Sequence, residues 1–183
     1  MKLYFVTNND FKAREAKTYL REYGILLHRV PIRIQEILHL DLNMIVRDKC
    51  LKAYRELGVP CAVEHGGLYI KALNGLPGGL SKVFWDNLEG KICDLIPPNT
   101  NREAVAKVVV GYCDGKRIEL FEGKTLGKVA DHARGGYKFQ WDPIFIPGGQ
   151  TQTFAEMGFP AKRSFSQAAK AWAKLAKKIK KIS

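Results

Sequence analysis

Two stretches of this chain gather residues capable of chemistry. In the first, Thr7-Asn8-Asn9-Asp10-Phe11-Lys12-Ala13-Arg14-Glu15, a hydroxyl, two amides and an ammonium sit where a strand-like run gives way to a helix. Such a turn suits a phosphate, because free backbone N–H groups and the helix dipole both favour an anion, and Lys12 adds a point charge. The spacing is not that of a P-loop, so a capped helix with a surface lysine fits the residues equally well. The second stretch spans residues 60–84. Cys61-Ala62-Val63 reads as a short strand, Glu64-His65-Gly66-Gly67 as a polar, turn-permissive interruption, and residues 68–73 as a second apolar run. Asn74-Gly75 and Pro77-Gly78-Gly79 then set two tight turns whose amides can approach a phosphate closely. By itself this stretch is also an ordinary hairpin with a glycine-rich exit.

The elements that must position these residues follow from periodicity and turn chemistry. Lys2-Leu3-Tyr4-Phe5-Val6 is rich in strand formers, and Asn9 or Asp10 can cap a helix running from Phe11 to Tyr23, ended by Gly24. Residues 25–34 read as a second strand with Pro31 marking an edge or an irregularity. Asp41 caps a helix in which Leu42, Ile45, Val46, Cys50, Ala53 and Leu57 recur at helical spacing before Gly58 and Pro60. Strand, helix, strand favours an α/β fold. Residues 86–96 read as helical or irregular. Residues 105–113 and 116–121 flank Asp114-Gly115 as a β-hairpin with a two-residue turn, and residues 123–130 read as a further strand. Residues 139–146 form an aromatic-rich segment around Trp141-Asp142-Pro143. A last helix, from about 166 to 182, carries Ala169, Trp172, Leu175, Ala176, Ile179 and Ile182 on one stripe and lysines on the other. A single folding unit of 183 residues is expected, with no internal repeat.

Taken in order, TxNxxKxxE (Thr7, Asn9, Lys12, Glu15), Glu36-Ile37, GLYIKALNGLPG (67–78), FEGKTLGKV (121–129), FQWDPIFIPGGQTQTFAEM (139–157), and Lys162 with Ser166 resemble the inosine triphosphate pyrophosphatase family. The likeness covers nearly the whole chain. It implies an elongated, two-lobed α/β fold with a long twisted mixed sheet, flanking helices and a central cleft, commonly dimeric. It implies Mg²⁺-dependent hydrolysis of ITP, XTP and dITP to the monophosphate and pyrophosphate. Thr7, Asn9 and Lys12 match its triphosphate turn, and Glu36 matches a metal-site glutamate. Phe139, Trp141 and Asp142 match the wall that stacks on and reads the purine, and Lys162 and Ser166 match the far side of the cleft. An aromatic face stacks a base, and Asp142 can accept from ring N–H groups.

The departures from the family pattern carry weight of their own. Where the family has Glu-Asp-Ser-Gly-Leu, this chain has Glu64-His65-Gly66-Gly67-Leu68, so His65 replaces the central aspartate beside the catalytic position of Glu64. Gln167 and Ala168 stand where the family has a histidine and an arginine. Gln140 and Asn8 stand where it has glycines. Magnesium wants hard oxygen ligands, which imidazole does not supply. His65 instead fits a general base or a softer metal, or marks a site that no longer turns over.

Charge adds a second line of argument. The net charge is +12, with thirty Lys and Arg against eighteen Asp and Glu. Lys170, Lys174, Lys177, Lys178, Lys180 and Lys181 crowd the last fourteen residues. A polyanionic partner such as RNA follows from that pattern, and a lysine-rich solvated surface is the plainer reading. With the substituted site, the sequence points first to a catalytically impaired relative acting as a nucleic-acid-binding accessory subunit. An active pyrophosphatase and a nucleotide sensor that does not hydrolyse are the alternatives. Cys50, Cys61, Cys93 and Cys113 lack CxxC spacing, and no apolar run spans a bilayer, so reduced thiols in a cytoplasmic protein are expected.

Overall fold

The structure, a computed structural model, describes residues 1–136 and 139–181. The chain opens with β1 (Lys2–Val6), α1 (Asp10–Arg21) and β2 (Leu26–Val30), in the order that residue type predicts. Asn9 caps α1 by accepting the Lys12 N–H at 3.0 Å, and Ala13, Ala16, Tyr19 and Leu20 form its buried face. Asp41 caps α2 (Leu42–Leu57), which stops at Gly58 in the left-handed region. Residues 31–40 between them carry no strand or helix assignment beyond a bend.

The interruption expected at Glu64-His65-Gly66-Gly67 is absent. β3 (Cys61–Ile70) runs straight through it, because every residue from Cys61 to Ile70 pairs antiparallel with β5 (Glu103–Cys113). Glycine serves here for close approach rather than for a turn: a Cβ on Gly67 would overlap the Gly78 carbonyl of the short strand β4 (Pro77–Gly78). Beyond β4 come α3 (Ser81–Leu88) and a 3-10 segment (Glu89–Leu95), so helix begins earlier than the sequence pattern indicates.

β5 and β6 (Ile118–Val129) form the expected hairpin. Its loop is four residues long, because the Asp114 carboxylate accepts the N–H groups of Lys116 and Arg117 at 2.9 Å each. Residues 123–129 continue β6 rather than start a new strand. β7 (Phe145–Pro147), α4 (Phe154–Phe165) and α5 (Gln167–Lys180) complete the chain, and Ile182 lies outside the described residues. The sequence reading missed α4, although Thr153 and Glu156 make a full capping box at its start.

Among the described residues the sheet has seven strands in the order β2-β1-β3-β5-β6-β7, with β4 also paired to β3. The β1 pairings are parallel and the rest antiparallel, which makes the sheet mixed with helices on its faces. α1 and α5 cover one face over Phe5, Ala62, Val108 and Val110, and α2 covers the other over Val6, Val63 and Val109. One edge of β3 is shared: β1 pairs with Cys61 and Ala62, and β4 pairs with Leu68 and Tyr69. Residues 63–67 therefore have no strand partner on that edge among the described residues.

α5 rests directly on the hairpin at Gly123, where a Cβ would overlap the Gln167 carbonyl and crowd the Ala171 nitrogen. Trp172, fully buried, packs edge-on against Phe5 with ring centroids 4.9 Å apart. Gly123→Ala has to displace backbone at this contact, so it should cost about 1–3 kcal/mol by overpacking. Denaturant unfolding should show that loss, whereas the same change at Gly148, where a Cβ comes no nearer than 3.3 Å to the Leu126 carbonyl oxygen, should cost less.

Candidate functional site

A cleft of about 850 Å³ opens where β1 and β4 part along β3. Thr7, Asn9, Lys12, Glu36 and His65 line it, together with Asn8, Arg33, Gln35, Lys49, Lys82 and Gln140. It lies at the carboxyl end of β1, the customary ligand position in an open α/β sheet. The turn after β1 is held from several sides. The Thr7 hydroxyl accepts the Asn9 N–H at 3.1 Å, and Arg29 donates to the Thr7 and Asn8 carbonyls at 3.0 Å each. Oriented so that both ends are satisfied, the Asn8 amide donates to the Pro31 carbonyl at 2.8 Å and accepts the Arg33 N–H at 3.3 Å, tying the extended segment to the turn.

Successive strand residues point to opposite faces, and this separates Glu64 from His65. Glu64 faces α1 and α5. Its Oε1 meets Lys12 Nζ at 3.2 Å, and its Oε2 accepts the Trp172 indole N–H at 2.7 Å. His65 faces the α2 side, with Nδ1 3.1 Å from Glu36 Oε2 and Nε2 3.0 Å from the Gly79 carbonyl. Lys49 pairs with Glu36 Oε1 and donates to the Glu64 carbonyl at 3.1 Å. Burial pushes the Glu36 carboxyl up, but His65 and Lys49 outweigh it and hold Glu36 well below the usual carboxylate range. Burial lowers the Lys49 ammonium.

These residues do not fit a metal held by the protein. No group of three metal-ligating side chains occurs among the described residues. All four oxygens of Glu36 and Glu64 already face a nitrogen of Lys49, His65, Lys12 or Trp172.

The residues matched to purine reading form a second cluster. Lys162, 4% exposed, bridges Glu15 Oε1 at 3.0 Å and Asp142 Oδ2 at 2.7 Å. It also sits over the Phe139 ring at 4.7 Å. Phe139 stacks on Phe11 with centroids 5.3 Å apart, and the Ser166 hydroxyl meets the Tyr19 hydroxyl at 3.2 Å. Burial pushes Asp142 up to about 6 and raises Glu15, Lys162 only partly offsetting it at each. Burial also acts to lower Lys162, but the two carboxylates prevail and raise it. Asp142 Oδ1, Trp141 Nε1 and Gln167 Oε1 are buried with no hydrogen-bond partner. Ala168 belongs to the core against α1.

The sequence reading named Glu15 only within the family pattern and passed over Lys49. Both carried a signal, a charged residue in phase with a buried helical stripe: Lys49 with Leu42, Ile45, Val46 and Ala53, and Glu15 with Ala16, Tyr19 and Leu20.

The sequence pattern of the Ham1 family matches residues 3–178. A Methanopyrus kandleri protein named dITP/XTP pyrophosphatase is 40% identical over 173 residues, 93% of this chain and 92% of its own. A Candida glabrata inosine triphosphate pyrophosphatase is 36% identical, with 94% of each chain covered. Among solved structures, a HAM1 protein from Coxiella burnetii superposes with a TM-score of 0.85 over 99% of both chains at 21% identity. That similarity carries the fold, and the mixed sheet with flanking helices is as expected.

The same comparisons overturn the reading of a catalytically silent, nucleic-acid-binding subunit, since relatives matched over nearly their whole lengths carry pyrophosphatase names. The terminal lysines have a structural explanation as well. Lys170 donates to the Lys124 carbonyl and the Thr125 hydroxyl, Lys174 to the Glu122 carbonyl, and Lys178 pairs with Glu119. Lys180 lies over the Tyr23 ring, and Lys177, Lys178 and Lys180 sit in the last turn of α5 with Lys181 as its cap, where positive charge suits the helix dipole. No helix among the described residues is long and apolar enough to cross a membrane, and the four cysteines are free and buried.

Asp142 gives the cluster a pH signature. Folded Asp142 keeps its proton up to about 6, against 3.8 for an ordinary aspartate. The folded state therefore binds more protons than the unfolded chain in that window, and stability falls as pH rises through it. Denaturant unfolding from about pH 4 to pH 6.5 should show a larger loss for the wild type than for Asp142→Asn; parallel curves would contradict the assignment.

Proposed function

This chain belongs to the Ham1 family, and from that premise we propose that it is an active pyrophosphatase, hydrolysing aberrant purine nucleoside triphosphates such as dITP and XTP to the monophosphate and pyrophosphate. The observation that carries the reading is the cleft at the parting of β1 and β4. It joins a strand-turn-helix anion site to lysines and an ionised carboxylate. Full-length similarity to proteins named for this activity supports it.

In this reading the phosphate chain lies across the N-terminus of α1, where Lys12 and the Thr7 and Asn9 turn hold it, with Lys49 opposite. Glu36 is the ionised carboxylate that the cleft offers to the attacking water, and His65 and Lys49 fix its orientation. Glu64, held by Trp172, positions Lys12. The departures read from the sequence at His65, Gln167 and Ala168 leave the phosphate turn of Thr7, Asn9 and Lys12 in place.

The base goes to the second cluster. Its ring stacks on Phe139 in place of Phe11, and the unpartnered Asp142 Oδ1 accepts from a ring N–H. Lys162 donates to a carbonyl at the purine 6-position, where hypoxanthine and xanthine carry oxygen and adenine carries an amino group. A site built around that donor rejects a base that presents another donor. A divalent ion, where the hydrolysis uses one, would have to come with the nucleotide, because these side chains do not fit one held by the protein.

Pyrophosphate release should be fast with dITP and XTP and slow with dATP, and no release above background from any of them would contradict the proposal. Lys12→Ala removes a charge-assisted phosphate contact worth about 3 kcal/mol, so kcat/KM should fall roughly a hundredfold.

A further inference from the structure

The charged side chains along the cleft are mostly positive. Lys12, Arg33, Lys49 and Lys82 line it with His65, and Glu36 is the one carboxylate among the lining residues. Glu64 lies outside the lining, 4% exposed and bonded to Lys12 and Trp172. Resting on the pyrophosphatase reading above, we infer that this cleft neutralises a triphosphate with its own lysines and arginine, and takes the phosphate chain without a metal ion.

The argument is one of donors and signs. A site that grips a phosphate chain through protein-bound magnesium must present oxygens to the ion, usually carboxylates with lone pairs to spare. Here Glu36 lies between Lys49 and His65, so an ion entering from the protein side meets an ammonium and an imidazole that donate to the same oxygens. A phosphate chain meets the opposite situation. Lys49 and Lys12 each carry three N–H donors, so they can reach phosphate oxygens while keeping their carboxylates, and Arg33 makes no ion pair among the described residues. Lys82 pairs with Asp86 at the surface, its side chain 60% exposed and free to swing inward. The capped start of α1 adds backbone N–H groups at the same end. Magnesium bound to the phosphate chain lowers its negative charge, so the ion should weaken this step rather than enable it.

The test is calorimetric titration of inorganic tripolyphosphate into the full chain, at low salt, once in EDTA and once in Mg²⁺. The expected result is binding in EDTA at least as tight as in Mg²⁺. Lys49→Met and Lys82→Met should each weaken it by about tenfold in EDTA, while Lys177→Ala, the same loss of charge on α5, leaves it unchanged. Lys82 is largely exposed, so its variant keeps the test sound if Lys49→Met fails to fold. Binding that appears with Mg²⁺ and is lost or more than tenfold weaker in EDTA overturns the inference and leaves the pyrophosphatase reading standing. Absence of binding in both buffers counts against the reading itself.

Discussion

The divided edge of β3 is the constraint on which the rest of this molecule depends. A strand with two neighbours on one side has to leave a gap between them, and here the gap falls at residues 63–67. The long ladder to β5 on the other side keeps β3 straight across the gap, so the opening does not collapse. Into it project the carboxyl end of β1, the first turn of α1 and the extended segment after β2. Because adjacent strand residues face opposite ways, the same gap separates Glu64, under α1 and α5, from His65, beside Glu36.

Around the opening, charge is arranged in linked pairs rather than single ions. Lys12 with Glu64, Lys49 with Glu36, and Lys162 with Glu15 and Asp142 each set a partly or fully buried ion against an opposite one. Removing one member of such a pair strands the other in a medium that solvates it poorly, a cost of about 3–5 kcal/mol. The groups that suit ligand binding therefore also hold the fold together. Trp172 is the clearest case: its ring fills the core under α5 while its N–H orients Glu64.

The sequence made local structure legible where a cap or a stripe announced it. Asn9 and Asp41 start their helices, Gly58 ends one, and the Asp114-Gly115 turn joins β5 to β6. It misled where long-range pairing overrode local chemistry: Gly66-Gly67 resembles a turn, yet the ladder to β5 holds it in a strand against Gly78. The residues of the cleft could be picked out as candidates from their types, but their grouping was not visible. Thr7, Asn9, Lys12, Glu36 and His65 converge on one cleft, whereas Asp142, Lys162 and Ser166 gather in a separate buried cluster. The lysines of α5 misled in another way, since composition records charge but not the backbone carbonyls those lysines meet.

The central claim is that the gap in the β3 edge is where the nucleotide binds. Hydrogen–deuterium exchange on the full chain, with and without dITP under conditions that block turnover, tests it most directly. The account predicts added protection at the first turn of α1, along residues 31–36 and on β3 at residues 63–67. Protection confined instead to a second groove, lined by Tyr69, Leu126 and Gly148, or no change anywhere, would contradict it.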